Sequence, residues 1–226
     1  MGGGAERIHR HGRWPRWLHG ANALAMLLLI GSGLAIGGRL PASWTALLGG
    51  HERLNALHQG LGLALVLAVA LLMLVVRGDS CRLLRELLHL HWRELRWPLE
   101  LLRHAVRPGH HAPPAHDGRL DPLQRLVMLL LLLSAAIVGV AGVGLLLAVD
   151  APRGLLALLV RTHVYVSWLM LGVLALHVLA GSGILSTHRG IARSMFGDGT
   201  VPVALAERLW PGWVEAQRRQ RRVDRS

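Results

Sequence analysis

Four long apolar blocks dominate the pattern of hydrophobic and polar positions. Each is at least 18 residues long and contains no Asp, Glu, Lys or Arg: Ala21–Gly38, Gln59–Val76, Leu126–Val149 and Thr162–Thr187. A helix needs about 20 residues to cross a hydrocarbon core of about 30 Å. Because lipid offers the backbone no hydrogen-bond partner, each block is predicted to be helical. We therefore predict an all-α membrane protein, a bundle of four transmembrane helices with spans at about residues 17–38, 54–76, 122–149 and 161–187.

The segments outside these blocks differ from them in pattern. Leucines at helical spacing, with arginines between them, predict an amphipathic helix over residues 80–106 on the cytoplasmic membrane surface. A Pro/Gly/His-rich loop follows. Its histidines, in residues 104–116, are candidates for a metal site, although solvated loop histidines explain them more simply. Residues 188–226 are predicted to be a cytoplasmic basic tail, and the whole chain 1–226 is predicted to be one membrane domain.

Charge adds an orientation to this picture. The net charge of +12 comes from arginine alone, and 20 arginines lie in the N-terminal arm, the middle loop and the C-terminal tail. Only four lie in the other two loops: Arg39, Arg53, Arg153 and Arg161. The positive-inside rule then places both termini and the middle loop in the cytoplasm of a bacterial inner membrane. Basic cytoplasmic loops also explain the high isoelectric point, so no nucleic-acid partner is expected. Membrane lipid is the expected partner of the apolar blocks.

Candidate chemistry lies in the histidines within or at the ends of the spans. His163 and His177 are 14 residues apart on the fourth span. At about 100° per residue they share one helix face, separated by about 21 Å along the axis. Topology puts His19 and His177 near the inner surface, and His58 and His163 near the outer surface. The four histidines therefore form two depth-matched pairs.

Three explanations fit such pairs: polar bonding between helices, zinc sites, or two bis-histidine haem sites. Ionisable residues at membrane depth are costly and generally functional. Two imidazoles from opposite helices with no third ligand fit axial haem ligation better than tetrahedral zinc. The single cysteine, Cys81, excludes covalent CxxCH attachment. Gly33, on the face of His19, would let a porphyrin approach the backbone, or would serve helix packing.

Several segments resemble those of the prokaryotic cytochrome b561-like group, which includes the cytochrome b subunits of nickel–iron hydrogenase and thiosulfate reductase and the gamma subunit of formate dehydrogenase. The matching segments are RWLHG (16–20), GSGL (31–34), RLNALHQGLG (53–62), GRLDPLQR (118–125), THVYVSWLMLGVLALHV (162–178) and RSMFGDG (193–199). The resemblance implies two haem b groups, one on His58 and His163 and the other on His19 and His177.

The same resemblance implies a function. Family members pass electrons between a catalytic and iron–sulfur partner and the quinone pool. The start of the third span resembles the family's quinone-site segment, with Gln124 matching and Asp121 in place of the usual asparagine; Arg125 is next along the helix. Asp121 would relay protons there, or merely cap the helix. Alternatives are a free-standing cytochrome b561-type quinone or superoxide oxidoreductase and a small proton or metal transporter.

Overall fold

Long apolar helices make up most of the chain that the structure describes. The computed structural model describes residues 6–88, 96, 103, 120–148, 150–184 and 188–223. The helices among these residues are α1 (Arg13–Ile36), α2 (Ala42–Leu47), α3 (Gly50–Val75), α4 (Arg77–Leu88), α5 (Pro122–Leu147), α6 (Arg153–Gly181), α7 (Arg193–Phe196), α8 (Val203–Leu209) and α9 (Pro211–Val223). The two strands are β1 (Arg7–His9) and β2 (Thr200–Pro202).

Helices α1, α3, α5 and α6 are each long and apolar enough to cross a membrane. Few residues of these helices are buried. None is buried in an 18-residue apolar stretch of α3, and only 11% are buried in such a stretch of each of the other three helices. Exposure of this apolar surface to water would be strongly unfavourable, whereas its contact with lipid carries no such free-energy cost. The chain is therefore a multi-pass membrane protein, which confirms the predicted all-α fold class with four transmembrane helices.

The helix ends reflect local signals more than hydrophobicity. Helix α1 ends at a glycine: Gly38 adopts φ +67°, and the following Arg39 N–H donates to the Leu34 carbonyl at 2.8 Å. Helix α6 begins at Arg153, whereas the apolar pattern alone predicts a span from about residue 161. The charged Arg153 at the start of α6 is compatible with a spanning helix, because the end of a spanning helix can extend beyond the hydrocarbon core.

The predicted surface helix at residues 80–106 is described in part. Helix α4 covers its beginning and has leucines and arginines on different sides. Most of its remainder, and the histidine-rich residues 104–116, lie outside the described residues.

The chain divides into two compact units. The helical unit comprises residues 17–82 and 130–174, and the terminal unit comprises residues 1–16, 83–129 and 175–226. Each unit therefore combines segments that are distant in sequence.

Within the terminal unit, both ends of the chain fold together. Strand β1 pairs antiparallel with β2, with Ile8 opposite Val201. A small apolar core includes residues of α8 and α9 and consists of Ile8, Val201, Ala206, Trp210 and Val214. The sequence predicts only a basic arm and a basic tail here, because strands of three residues give no readable alternation.

An arginine joins the two chain ends in this unit. The Arg10 guanidinium lies 4.1 Å from the ring centroid of Trp210 and 4.4 Å from that of Trp213. Arg10 is only 8% exposed, so these cation–π contacts are largely shielded from water. An N-terminal charge is thus held by two aromatic rings near the C-terminus.

Candidate functional site

Two of the predicted histidines face each other in the helical unit. His58 extends from α3 and His163 from α6, and both are partly buried. Their ring centroids are 6.2 Å apart and their ring planes are inclined at 78°. The structure therefore brings together the pair that topology placed at the outer membrane surface.

The neighbour of His163 determines which ring nitrogen carries the proton. His163 Nδ1 lies 3.1 Å from the backbone carbonyl oxygen of Val138. A carbonyl oxygen can only accept a hydrogen bond, so Nδ1 is the donor. In a neutral imidazole the lone pair then resides on Nε2, which is free to bind a metal.

The hydrogen bonds of Ser32 indicate that His58 also carries its proton on Nδ1. The Ser32 hydroxyl donates to the Leu28 carbonyl at 2.7 Å, with the Leu29 carbonyl at 3.1 Å. Since its only proton is directed to those carbonyls, the hydroxyl oxygen accepts from His58 Nδ1, which is 2.8 Å away. His58 therefore also presents Nε2 as its unprotonated nitrogen.

Glycines on neighbouring helices make room for both rings. A Cβ at Gly33 would lie 3.3 Å from His58 Cε1, and one at Gly142 would lie 3.2 Å from His163 Cε1. Both distances are shorter than ordinary van der Waals contact, so a side chain would displace the imidazole. The contact at Gly33 in the structure is with the His58 ring, and the close approach of a porphyrin to Gly33 stays a prediction.

The sequence analysis missed three members of this arrangement: Ser32, the Val138 carbonyl and Gly142. Ser32 lies inside the GSGL segment, where a polar residue in an apolar helix was a readable signal. Gly142 had no distinguishing signal, since Gly139 and Gly144 on the same helix are equally small. A backbone carbonyl has no sequence signature at all.

The pair fits axial ligation of one metal. A bond of about 2 Å from imidazole nitrogen to metal, and about 1.1 Å from that nitrogen to the ring centre, place two opposed imidazoles about 6 Å apart, centre to centre. The observed 6.2 Å matches this spacing. Two imidazoles fill both axial positions of a haem iron but only half of a tetrahedral zinc site. Among the described residues, no group of three or more His, Cys, Asp or Glu side chains is placed to hold a metal ion.

His51 is the other histidine that sequence alone offers as a ligand from α3. It lies in the first turn of that helix and is exposed. His58 is two turns further along and is the one whose ring faces His163. The geometry therefore favours His58 over His51.

For the second predicted pair, His19 and His177, the position of each residue is described separately. His19 lies on α1 and His177 near the end of α6, and each is partly buried. These two positions agree with the ends of the spans on which they were predicted. Their pairing stays a prediction from topology.

The terminal unit contains the residues of the predicted quinone segment. Asp121 precedes α5, and its Oδ1 accepts from the Gln124 backbone N–H at 2.7 Å, which is an N-cap bond. The Gln124 Oε1 atom is buried without a hydrogen-bond partner within the described part of the chain. Arg125 occupies the first turn of the same helix, where it is partly buried.

His188, which the sequence analysis did not single out, interacts electrostatically with Asp121. Burial lowers the pKa of His188; the Asp121 carboxylate opposes that shift, and Arg208 adds to it. The imidazole is therefore neutral at neutral pH and able to take up or release a proton. Nothing in the sequence separates His188 from the other loop histidines.

Comparison with known proteins places this arrangement in context. A family model described as prokaryotic cytochrome b561 matches residues 10–198, which include all four predicted histidine ligands and the whole of α1 to α6. No curated protein matches the chain.

Proposed function

The chain belongs to the prokaryotic cytochrome b561 family, and we propose that it is a di-haem cytochrome b subunit carrying electrons between a partner oxidoreductase subunit and the membrane quinone pool. Family membership makes it a haem b-binding electron-transfer protein of a bacterial membrane. The observation that supports the finer proposal most is the pair His58 and His163, whose ring centroids are 6.2 Å apart and whose Nδ1 atoms each have a hydrogen-bond partner.

Four histidines would hold the two haems in this proposal. His58 and His163 would ligate the haem nearer the outer surface, and His19 and His177 the haem nearer the cytoplasm. Bound haem iron accepts and releases one electron. Two protein ligands leave no open coordination position, so the residues favour electron transfer over binding of oxygen or substrate.

Orientation follows from the distribution of charge. The arginine excess in the N-terminal arm, the middle loop and the C-terminal tail supports a cytoplasmic location for both termini. Lipid surrounds the exposed apolar faces of the four spans. Catalytic and iron–sulfur subunits are the proposed partners, because the resemblance to the cytochrome b subunits of multi-subunit oxidoreductases implies them.

Quinone chemistry is proposed at the cytoplasmic end of α5. A quinone takes up two protons with two electrons, so its site needs polar groups for the carbonyl oxygens and a source of protons. Within the described residues, the Gln124 Oε1 atom is buried and has no hydrogen-bond partner, which supports a role for its side-chain amide in binding a quinone carbonyl. Asp121 interacts electrostatically with His188, and the two side chains would supply protons to the quinone. Arg125 lies in the same first turn and would orient the quinone.

The test follows reoxidation of the dithionite-reduced haems of the purified protein by short-chain ubiquinone and menaquinone analogues. Gln124→Ala and Asp121→Ala should slow reoxidation about tenfold, since one lost hydrogen bond costs about 1–2 kcal/mol. Asp121→Asn keeps the helix cap but removes the ionisable carboxyl, so it should also slow proton-coupled reoxidation while both haems stay bound. Asp150→Ala, at the exposed start of the outer loop, is the matched control. Wild-type rates in both alanine variants, with full haem content, would contradict the quinone site.

A further inference from the structure

Ser32 stands out because it is a buried hydroxyl directly behind a proposed haem ligand. It is 5% exposed, and its oxygen is 2.8 Å from His58 Nδ1. The hydroxyl is itself immobilised, since it donates to the carbonyls of Leu28 and Leu29 on its own helix. It is therefore an acceptor with a fixed orientation.

We propose that Ser32 is a positioning residue that sets both the ring orientation of His58 and the reduction potential of the haem held by His58 and His163. The proposal rests on the proposed ligand assignment for that haem. Ser32 would not touch the haem; it would act through the imidazole.

The effect on potential follows from proton sharing. When Nδ1–H donates to an acceptor, the ring becomes more electron-rich and Nε2 a stronger donor to the metal. A stronger donor stabilises the ferric more than the ferrous state, so the hydrogen bond lowers the potential. Without the hydroxyl, the haem should be easier to reduce.

The effect on orientation can be read from the angle between the rings. Ser32 holds His58 from α1, and the Val138 carbonyl holds His163 from α5, with the ring planes 78° apart. In ferric low-spin haem, parallel imidazole planes split the two iron orbitals of π symmetry. Near-perpendicular planes leave those orbitals almost equal in energy, which concentrates the EPR signal in one low-field feature.

The wild-type haem at this site should therefore give such a low-field feature. In Ser32→Ala the His58 ring is free to rotate, so the feature should shift or broaden, and the midpoint potential of this haem alone should move to a more positive value. Ser32→Cys keeps the volume but offers only a weak thiol partner, and it should shift the potential in the same direction.

Ser134→Ala is the matched control, because Ser134 is a similarly buried hydroxyl (3% exposed) on α5. The experiment is a redox titration of the full-length protein followed by optical and EPR spectroscopy. Loss of one haem from both Ser32 variants, but not from Ser134→Ala, would also support the proposal, since binding would then need the hydrogen bond. Two retained haems with unchanged potentials and spectra in Ser32→Ala would overturn it, as would equal shifts in Ser134→Ala.

His58→Ala separates this proposal from the ligand assignment. If His58→Ala retains both haems, the assignment itself is wrong. If it loses one haem while Ser32→Ala changes nothing, the assignment stands and only the role of Ser32 is excluded.

Discussion

At the scale of single residues, the site depends on the hydrogen-bond partner and the adjacent glycine of each imidazole as much as on the imidazole itself. His58 is held by a serine hydroxyl and backed by Gly33; His163 is held by a backbone carbonyl and backed by Gly142. The histidines could be predicted because their 14-residue spacing and topology are properties of a helix. Their supports could not, because they depend on how neighbouring helices approach.

The ligand assignment predicts paired losses. His58→Ala and His163→Ala should each remove the same haem, identified by its spectrum and potential, because a single imidazole leaves the iron without its second axial ligand. His19→Ala and His177→Ala should remove the other haem. His51→Ala, an exposed histidine on the same helix as His58, is the control and should retain both. Haem loss in His51→Ala with retention in His58→Ala would contradict the assignment.

Gly142→Val should lower occupancy of the outer haem. A Cβ at Gly142 would already be 3.2 Å from His163 Cε1, and a branched side chain would push the ring from its position. Gly172→Val on α6 is the control, because a Cβ there meets nothing within 4 Å. Haem content of the purified variants measures the effect. Equal haem content in both would show that space beside His163 is not limiting.

At the scale of elements, the length of the charge-free apolar blocks predicted the four long helices, but no pattern predicted either strand. The helices carry their signal in composition, and their exposed apolar faces require lipid. The terminal unit depends on contacts between residues nearly 200 positions apart, such as Arg7 with Thr200. No local pattern in a basic, glycine-containing segment indicates such a partner.

Gly199 adopts a left-handed backbone conformation where the two ends of the described chain meet. Its φ is +85°, its carbonyl accepts from the Arg10 N–H at 2.8 Å, and a Cβ would overlap the His11 carbonyl oxygen. Gly199→Ala should therefore free the β1 strand, seen as faster amide hydrogen exchange at residues 7–11. Gly190→Ala isolates the conformational cost of about 1–2 kcal/mol, because Gly190 has φ +93° without a close contact. Similar exchange in the two variants would contradict the role of close packing at Gly199.

At the scale of the whole molecule, arginine placement and four spans together predict one orientation. Green fluorescent protein fused after Ser226 should fluoresce, and alkaline phosphatase fused there should be inactive, because the tail stays in the cytoplasm. A phosphatase fused in the loop after Asp150 should be active. The reversed pattern would invert the molecule and exchange the inner and outer haems.

The count of haems per chain tests the central claim most directly. The proposed function requires two non-covalent b haems, one for each pair of histidines, in a protein with a single cysteine. A pyridine haemochrome assay on the purified chain, combined with a quantitative protein determination, gives that ratio in one measurement. The account predicts two haem b groups per chain, both extractable by acidified acetone. One haem per chain, or none, would contradict it.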